Sequence, residues 1–356
     1  HFILTFNAKA DSLPGLKGLN FDETDAFIIE TTSRNDSICY WIKDSLVYGM
    51  DTLEVQLDYL YTDSLNQLVP RTDTIYLANK LTREQRERIQ KEAEEEKEKE
   101  RKKREKKGLE PEKEPTPFLK MNVDAPSSFD INKNVVLAFD EPVVRFDTAA
   151  IHMQVKVDTL WEDTPFLLRP DSVLPRTYEI LAGWEPEKEY KLTIDSAAVT
   201  GLYGLHTNKS EHTMKVKKLD EYGTLLLNVK NALPGSIVEL IDNSGKVLRQ
   251  QPVTQEGTAD FYFLAPNSKY YIRLFEDRNG NGKWDTGNYS KGLQPEAVYY
   301  FPKVWEMKAN FEFEEDWDIH EVPWDRQKLD EIKKQKPEQE KKIKDRNKER
   351  AKKLGR

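Results

Sequence analysis

The chain is short of the residues that most often carry chemistry. It has one cysteine, Cys39, and five histidines among 356 residues. A single cysteine excludes a disulfide within the chain, and few cysteines are common in exported bacterial proteins. No apolar run approaches the length of a membrane-spanning helix. The sequence also contains no G-x-S-x-G nucleophile elbow and no glycine-rich phosphate loop.

The remaining nucleophiles and metal ligands form no catalytic pattern. His206 and His212 lie six residues apart, a spacing that does not place two zinc ligands on one helical face. Cys39 alternates within an apolar strand pattern and has no paired histidine nearby. A pair of carboxylates of the glycosidase type stays open, because Asp and Glu are abundant. We therefore predict a protein without enzymatic activity.

Charge is plentiful but unevenly distributed. The whole chain has a net charge of −8, of which residues 83–107 carry +3 and residues 326–356 carry +8, leaving −19 on the rest. A β body with that charge is a poor surface for nucleic acid, because phosphate binding requires a positive potential. The basic C-terminal run suits anionic lipid or an acidic partner, although such runs are more often simply solvated.

Alternating apolar residues predict a first β-sandwich domain over residues 1–78. The clearest strand patterns are Phe27–Glu30, Ile38–Ile42 and Leu53–Tyr59, with the two-residue period and aromatic content typical of strands. Asp-Ser or Asp-Thr before an apolar residue recurs, as at Asp44, and we expect it to mark a turn into a strand. Because the chain enters this pattern directly at His1, we expect it to be the remainder of a longer protein, with any targeting segment outside it.

A charged insert occupies residues 79–117. Between Arg83 and Lys107, 21 of 25 residues are charged, and Thr82 with Gln85 resembles a capping box. Because Glu, Lys and Arg favour helices, the composition predicts a helix that rests on ion pairs between successive turns. A stiff spacer between domains and a frayed, solvated linker both remain open.

Two more β domains and a tail complete the predicted organisation. Residues 118–218 form the second β domain. Residues 219–313 form the third, closed by the strand pair Tyr299–Phe301 and Lys308–Phe313. For residues 314–356 we predict an extended segment followed by a basic helical tail. The predicted fold class is therefore mainly β, with three tandem sandwiches, a long charged helical insert and a charged helical C-terminal tail.

The most specific motif lies in the third β domain. Oxygen-bearing side chains recur at Asp277, Asn279, Asn281 and Asp285, and Gly282 occupies the sixth position. Alternate ligands with a glycine at position six are typical of the front half of a calcium-binding loop. The sequence therefore predicts a structural Ca²⁺ site formed by these four ligands.

Two features keep a metal-free alternative open. Position twelve of the loop, normally a bidentate glutamate, is Asn288, so that Glu276 or Glu296 would have to substitute from outside. The same sequence also suits a hairpin without metal, in which Gly280 and Gly282 adopt positive φ and the Asn and Asp side chains form Asx turns.

The second and third β domains carry motifs that resemble known families. Asn134–Val143 resembles the opening strands of S-layer-type bacterial Ig-like domains, and Trp184–Asp195 followed by Gly201–Gly204 resembles their closing pattern. The third domain resembles prealbumin-like or carboxypeptidase-regulatory-like modules. The segments that carry this second likeness are Gly235–Leu240, Gly257–Phe261 and Pro266–Leu274.

The order of these parts, with Asp277–Gly287 and Gln294–Glu296 after them, resembles the C-terminal portion of Bacteroidota Ig-like-domain outer-membrane lipoproteins. The resemblance spans most of the chain, including the charged insert and the tail. It implies an outer-membrane location on the periplasmic or cell-surface side, with an N-terminal lipid anchor outside the chain. It also implies envelope or outer-membrane proteins as partners, a β-barrel complex among them. It supplies no reaction.

These observations favour a non-enzymatic envelope scaffold that binds a partner protein. An accessory subunit of an outer-membrane β-barrel assembly or transport machine is the first alternative. A carbohydrate-binding protein is the second, because exposed aromatic side chains on a β-sandwich can stack on sugars. The tryptophans considered for that role are Trp161, Trp184, Trp284, Trp305, Trp317 and Trp324.

Overall fold

The computed structural model describes residues 1–79 except 33 and 66, nine positions between 84 and 98, and residues 117–333. Within these ranges the chain is mainly β, as predicted, and it divides into two compact units. Unit 1 contains residues 1–129 and 133–216, and unit 2 contains residues 130–132 and 217 onward. Among the described residues, no helix is both long and apolar enough to cross a membrane.

Two three-stranded sheets, ordered β1-β4-β3 and β2-β5-β6, form the N-terminal part of unit 1. Their elements are β1 (Phe2–Thr5), β2 (Gly15–Gly18), β3 (Phe27–Thr31), β4 (Ser37–Ile42), α1 (Ser45–Gly49), β5 (Thr52–Thr62) and β6 (Leu68–Ala78). The two-residue period places Leu53 and Val55 of β5 inside, where they pack with Ala26 and Val47. The three strand patterns predicted for this part are confirmed.

One turn in this part differs from the prediction. Asp44 begins the helical turn α1, not a strand, and its carboxylate accepts the backbone N–H of Leu46 at 2.8 Å. An Asp side chain that captures a nearby N–H serves a helix N-terminus as well as it serves a turn. The local sequence therefore identified the capping side chain correctly and the element after it wrongly.

A five-stranded sheet, ordered β12-β11-β15-β17-β8, and a four-stranded sheet, ordered β13-β14-β9-β7, form the rest of unit 1. A third, two-stranded sheet pairs β10 with β16. The elements are β7 (Met121–Asp124), β8 (Ser128–Phe129), β9 (Val135–Phe139), β10 (Val143–Phe146), a 3-10 turn (Thr148–Ala150), β11 (Ile151–Val157), β12 (Leu160–Asp163), β13 (Phe166–Pro170), β14 (Thr177–Ala182), β15 (Glu189–Ile194), β16 (Val199–Gly201) and β17 (Ser210–Val216). Tyr190, Leu192 and Ile194 of β15 are buried while the residues between them are not, which is the pattern of a strand with one face in the core.

Arg176 connects the two parts of unit 1. Its Nε lies 3.1 Å from Oε2 of Glu30, and its guanidinium lies 5.0 Å from the centre of the Trp41 ring. Trp41 donates its indole N–H to the same Glu30 oxygen at 2.9 Å. The rings of Trp41 and Tyr48 both contact Tyr203. One charge pair and a cluster of aromatic rings therefore join the two parts.

Unit 2 contains the sheets β21-β18-β25 and β20-β19-β22-β23, with β24 also paired to β22. Its strands are β18 (Gly223–Lys230), β19 (Ile237–Ile241), β20 (Val247–Pro252), β21 (Thr258–Leu264), β22 (Lys269–Phe275), β23 (Val298–Tyr300), β24 (Trp305–Glu306) and β25 (Glu312–Asp318). Its 3-10 turns are Leu219–Glu221, Tyr289–Lys291, Trp324–Arg326 and Asp330–Ile332. The core between the sheets includes Leu240, Phe261 and Trp317.

The predicted closing strand is displaced along the chain. Lys308–Phe313 was expected to be the last strand, but the strand is Glu312–Asp318, which pairs in parallel with β18. Five of the seven residues of this strand are acidic, which hides the strand pattern. Segment 314–318, predicted to be extended and outside the domain, is therefore part of its sheet.

The chain after β25 crosses the outer face of the β19-β22-β23 sheet. Ile332 is buried against Ile241 and Tyr271, with Leu329 and Tyr300 packed beside it. The helical tail predicted beyond this segment lies outside the described residues. The charged insert over 79–117 also lies largely outside them; its nine described positions are helical, with Arg88 and Glu92 2.8 Å apart. Both helices therefore stay predictions.

Candidate functional site

The predicted calcium loop lies between β22 and β23. Asp277 Oδ1 accepts the backbone N–H of Asn281 at 3.1 Å, and its Oδ2 accepts that of Gly282 at 2.7 Å. Asn281 donates its side-chain N–H to Asp285 Oδ2 at 2.9 Å, and Asn279 donates to the same oxygen. The structure therefore brings all four predicted ligands together.

The geometry of the loop is that of a hydrogen-bonded hairpin. Gly280 and Gly282 have φ of 69° and 70°, the left-handed conformation that the sequence required of them. Asn279 Oδ1 accepts the backbone N–H of Asn281, and Asn281 Oδ1 accepts that of Lys283, so both form Asx turns. Within the described ranges, no three His, Cys, Asp or Glu side chains gather at one metal-sized point. The calcium prediction thus depends on two carboxylates and two amides, and it stays a prediction.

Glu296, which follows the loop in the chain, fixes its conformation by hydrogen bonds. Its side chain is buried, its Oε1 accepts the backbone N–H of Arg278 at 2.8 Å, and its Oε2 accepts that of Asp285 at 3.0 Å. Glu276 instead binds the hydroxyl of Tyr299 and the guanidinium of Arg278. The sequence pointed to Glu296 as a substitute ligand, whereas the structure gives it the role of holding both ends of the loop.

Asn288, at the twelfth position of the motif, faces elsewhere. Its Oδ1 accepts the backbone N–H of Lys291 at 3.0 Å and so caps the 3-10 turn Tyr289–Lys291. The amide that would complete a calcium loop is therefore engaged with its own turn.

The two histidines considered as metal ligands and the cysteine are dispersed in unit 1. His206 lies 3.1 Å from the Thr200 hydroxyl through Nδ1. His212 lies in β17, and burial lowers its pKa. Cys39 is half-buried in β4, as the strand pattern predicted, and burial followed by the nearby Glu30 carboxylate raises the pKa of its thiol. None of the three contacts another.

The six candidate tryptophans divide by environment. Trp317 is 2% exposed in the core of unit 2. Trp184 packs against Phe129 and Tyr190, and Trp161 lies beneath the ammonium groups of two lysines. Trp284 and Trp324 differ, since they are 46% and 68% exposed. These two alone among the six offer a large aromatic surface to solvent.

Comparisons with known proteins find distant similarity to solved structures only. No protein-family model and no curated protein matches the chain. The N-terminal part of the bacterial S-layer protein SbsC is 12% identical over 46% of this chain and 42% of its own, with a TM-score of 0.25. A fragment of Escherichia coli alpha-2-macroglobulin is 10% identical over 51% of this chain and 71% of its own, with a TM-score of 0.25. The Bacillus anthracis TIE protein is 10% identical over 86% of this chain and 51% of its own, with a TM-score of 0.19.

The chain thus spans about half the length or less of SbsC and TIE, as those solved structures have it. Similarity at this level assigns neither a family nor a function.

Proposed function

We propose that this protein is a non-enzymatic scaffold of the bacterial cell envelope. In this proposal it is an outer-membrane lipoprotein, held by a lipid outside the chain, and its β domains bind a partner protein of the envelope. The order of modules in the sequence supports the location. The use of buried polar groups supports the absence of catalysis.

The observation that carries the proposal is what the buried carboxylates contact. Glu239 pairs with Arg273 across β19 and β22. Glu296 accepts two backbone N–H groups, and Glu141 lies against Gly201 and accepts the backbone N–H of Tyr203. Each of these carboxylates stabilises backbone or a cross-strand pair, which is a structural use of burial. In this proposal the outer faces and edges of the sheets bind the partner.

A role as an accessory subunit of an outer-membrane β-barrel machine is the nearest variant of this proposal. In that variant the charged insert and the basic tail contact the machine, because charged helices and basic runs suit polar, transient surfaces. Calcium would serve either version as a structural ion, since a rigid loop beside β23 presents a fixed surface to a partner.

The test is purification of the full-length tagged protein from its native outer membrane in mild detergent, followed by mass spectrometry. We expect an envelope protein to co-purify in stoichiometric amount, and a β-barrel protein would select the machine variant. Recovery of the protein alone, or in the soluble cytoplasmic fraction, would contradict the proposal.

A further inference from the structure

The outer edge of β23 is closed by side chains. In its pairing with β22, Ala297 O accepts the N–H of Glu276 and Phe301 N donates to Ile272 O. Backbone groups alternate between the two sides of an antiparallel strand, so residues 296, 298 and 300 direct theirs away from β22. This is the edge at which another strand would add, unless something occupies it.

Two indole rings occupy that edge. Trp284 donates its N–H to Glu296 O at 3.0 Å, and Trp324 donates to Val298 O at 2.8 Å. The two carbonyls are two residues apart on one extended segment, which is about 6.6 Å. The rings are therefore anchored at neighbouring points, one from the loop before β23 and one from the segment after β25.

Hydrogen bonds to buried side chains fix the two segments that bear Trp284 and Trp324. The loop that bears Trp284 is fixed by the bonds from Glu296 to Arg278 and Asp285. The turn that bears Trp324 is fixed by the buried Gln327, whose Oε1 accepts the N–H of Tyr300 at 2.9 Å. An aromatic side chain that is fixed before binding loses little conformational entropy when a ligand arrives.

The rings remain open to solvent although their N–H groups are satisfied. The indole N–H alone is enough to occupy a backbone carbonyl at the edge of β23. The rest of each side chain stays accessible, with 46% of Trp284 and 68% of Trp324 exposed. With the N–H donated internally, a ligand meets only the faces and carbon edges of the rings. Such faces are electronegative and attract polarised C–H groups.

Pyranose rings match this surface. One side of a pyranose presents C–H groups, while its hydroxyls project around the rim and need polar neighbours. Lys283 lies next to Trp284 in the chain, and Asp325 and Arg326 lie next to Trp324, all of them exposed. Residues 217–333 of unit 2 contain 15 basic and 20 acidic side chains, and this net charge of −5 repels anionic polymers and favours a neutral one.

We propose that the edge formed by Trp284 and Trp324 binds a neutral polysaccharide by stacking on its pyranose rings. Two anchored rings suit a chain of linked sugars better than a monosaccharide, because both contacts then act on one molecule. This proposal concerns a glycan site and does not rest on the protein-partner function.

The first test is native affinity electrophoresis of the full-length protein in gels that contain laminarin, hydroxyethyl cellulose, xylan or yeast mannan. We expect at least one of these to retard the protein, and Trp284→Ala and Trp324→Ala to weaken that binding about tenfold each, since a central aromatic contact contributes about 1–2 kcal/mol. Trp284→Phe and Trp324→Phe keep a stacking face and should lose much less. Tyr262→Ala, which removes an aromatic side chain 49% exposed on β21, should bind as the wild type does.

Several results would overturn the proposal. These are no retardation of the wild type by any neutral polysaccharide, retardation only by the anionic polygalacturonate, and unchanged binding in the double alanine variant.

A second test uses only the wild type, in case the variants fold poorly. N-Bromosuccinimide oxidises accessible tryptophan, and mass spectrometry locates the products. The polysaccharide that retards the protein should protect Trp284 and Trp324 from oxidation. Oxidation at the same rate with and without that polysaccharide would overturn the proposal.

Discussion

At the residue scale, Glu141 shows how a sequence motif is used for stability. It follows Asp140 in the stretch that resembles an Ig-like opening strand, and the structure buries its side chain. A Cβ on Gly201 would lie 1.9 Å from Glu141 Oε1, so that only glycine leaves room for the carboxylate. Beside it, burial raises the pKa of Tyr203 to about 12. Burial likewise raises the pKa of Glu141, against the bond from the Tyr203 N–H.

The raised pKa predicts how stability depends on pH. The folded state disfavours the charged form of Glu141, so the cost is full above the folded pKa and absent below the unfolded value, which is about 4.3. Glu141→Gln should therefore raise the melting temperature at pH 7.5, and the difference should shrink on acidification to pH 4. Melting curves across this range check it, with exposed Glu256→Gln as the control. A difference that is constant with pH would contradict the assignment.

The loop at Asp277 gives a second prediction at this scale. If its four oxygen-bearing side chains bind Ca²⁺ with the affinity of extracellular modules, 5 mM calcium should stabilise the fold by about 1–2 kcal/mol over chelator. Asp277→Ala should abolish that difference. Asp242→Ala removes an Asp that accepts two backbone N–H groups in another hairpin turn, and it should leave the calcium effect intact. Identical melting of the wild type with calcium and with chelator would reject the site.

At the element scale, the segment after β25 depends on Gln327. Its side chain donates to Ile319 O at 2.8 Å and Val322 O at 2.9 Å, and accepts from Tyr300. One buried amide thus closes the turn on itself and ties it to the edge of β23. Leu329 and Ile332 follow it onto the sheet face.

Removing that amide should release the whole segment. Gln327→Ala leaves the buried Ile319 carbonyl without this partner, worth about 1–3 kcal/mol, and also removes the partner of the half-buried Val322 carbonyl and Tyr300 N–H. We expect faster hydrogen exchange over 319–333 and a lower free energy of unfolding, while the core strands of unit 2 exchange as before. Gln250→Ala, on the exposed side of β20, is the matched control. Unchanged exchange over 319–333 would show that apolar packing alone holds the segment.

Much of the element pattern was predictable, and the exceptions have physical causes. The strands around Leu53–Tyr59 and Tyr190–Asp195 alternate cleanly, and so the sequence indicates them. β25 does not, because Glu315 interrupts the apolar positions Phe313 and Trp317 on the inner side of the strand. Its partner β18 lies more than eighty residues earlier, and a local pattern carries no signal of such pairing.

The candidate sites also differ in how far the sequence could predict them. The loop ligands follow from spacing within nine residues, which is a local signal. Trp284 and Trp324 are forty residues apart in the chain, and they lie at one edge because each donates to a backbone carbonyl there. From the sequence, these two tryptophans could not be distinguished from the other four candidates. The bracing role of Glu296 also depends on a backbone geometry that no spacing shows.

At the scale of the whole molecule, unit 1 depends on one junction. Arg176 lies on the second part of the unit, and Glu30 and Trp41 lie on the first. The pair is half-buried, so the loss of Arg176 leaves a carboxylate with less water and no counter-ion.

We expect Arg176→Ala to lower the free energy of unfolding of unit 1 by about 1–3 kcal/mol. Arg169→Ala removes an arginine that pairs with Glu179 on the more exposed surface of the same unit, and should cost less than about 1 kcal/mol. Urea denaturation measures both. Equal effects of the two substitutions would show that the junction adds nothing beyond an ordinary surface pair.

The central claim, that this protein works by binding a partner in the envelope, is tested most directly by cross-linking in intact cells. A membrane-impermeant, lysine-reactive cross-linker is applied to the native organism, with and without mild opening of the outer membrane, and linked peptides are identified by mass spectrometry. We expect links from lysines of the β domains to one other envelope protein. Links confined to this chain, or links to cytoplasmic proteins, would contradict it.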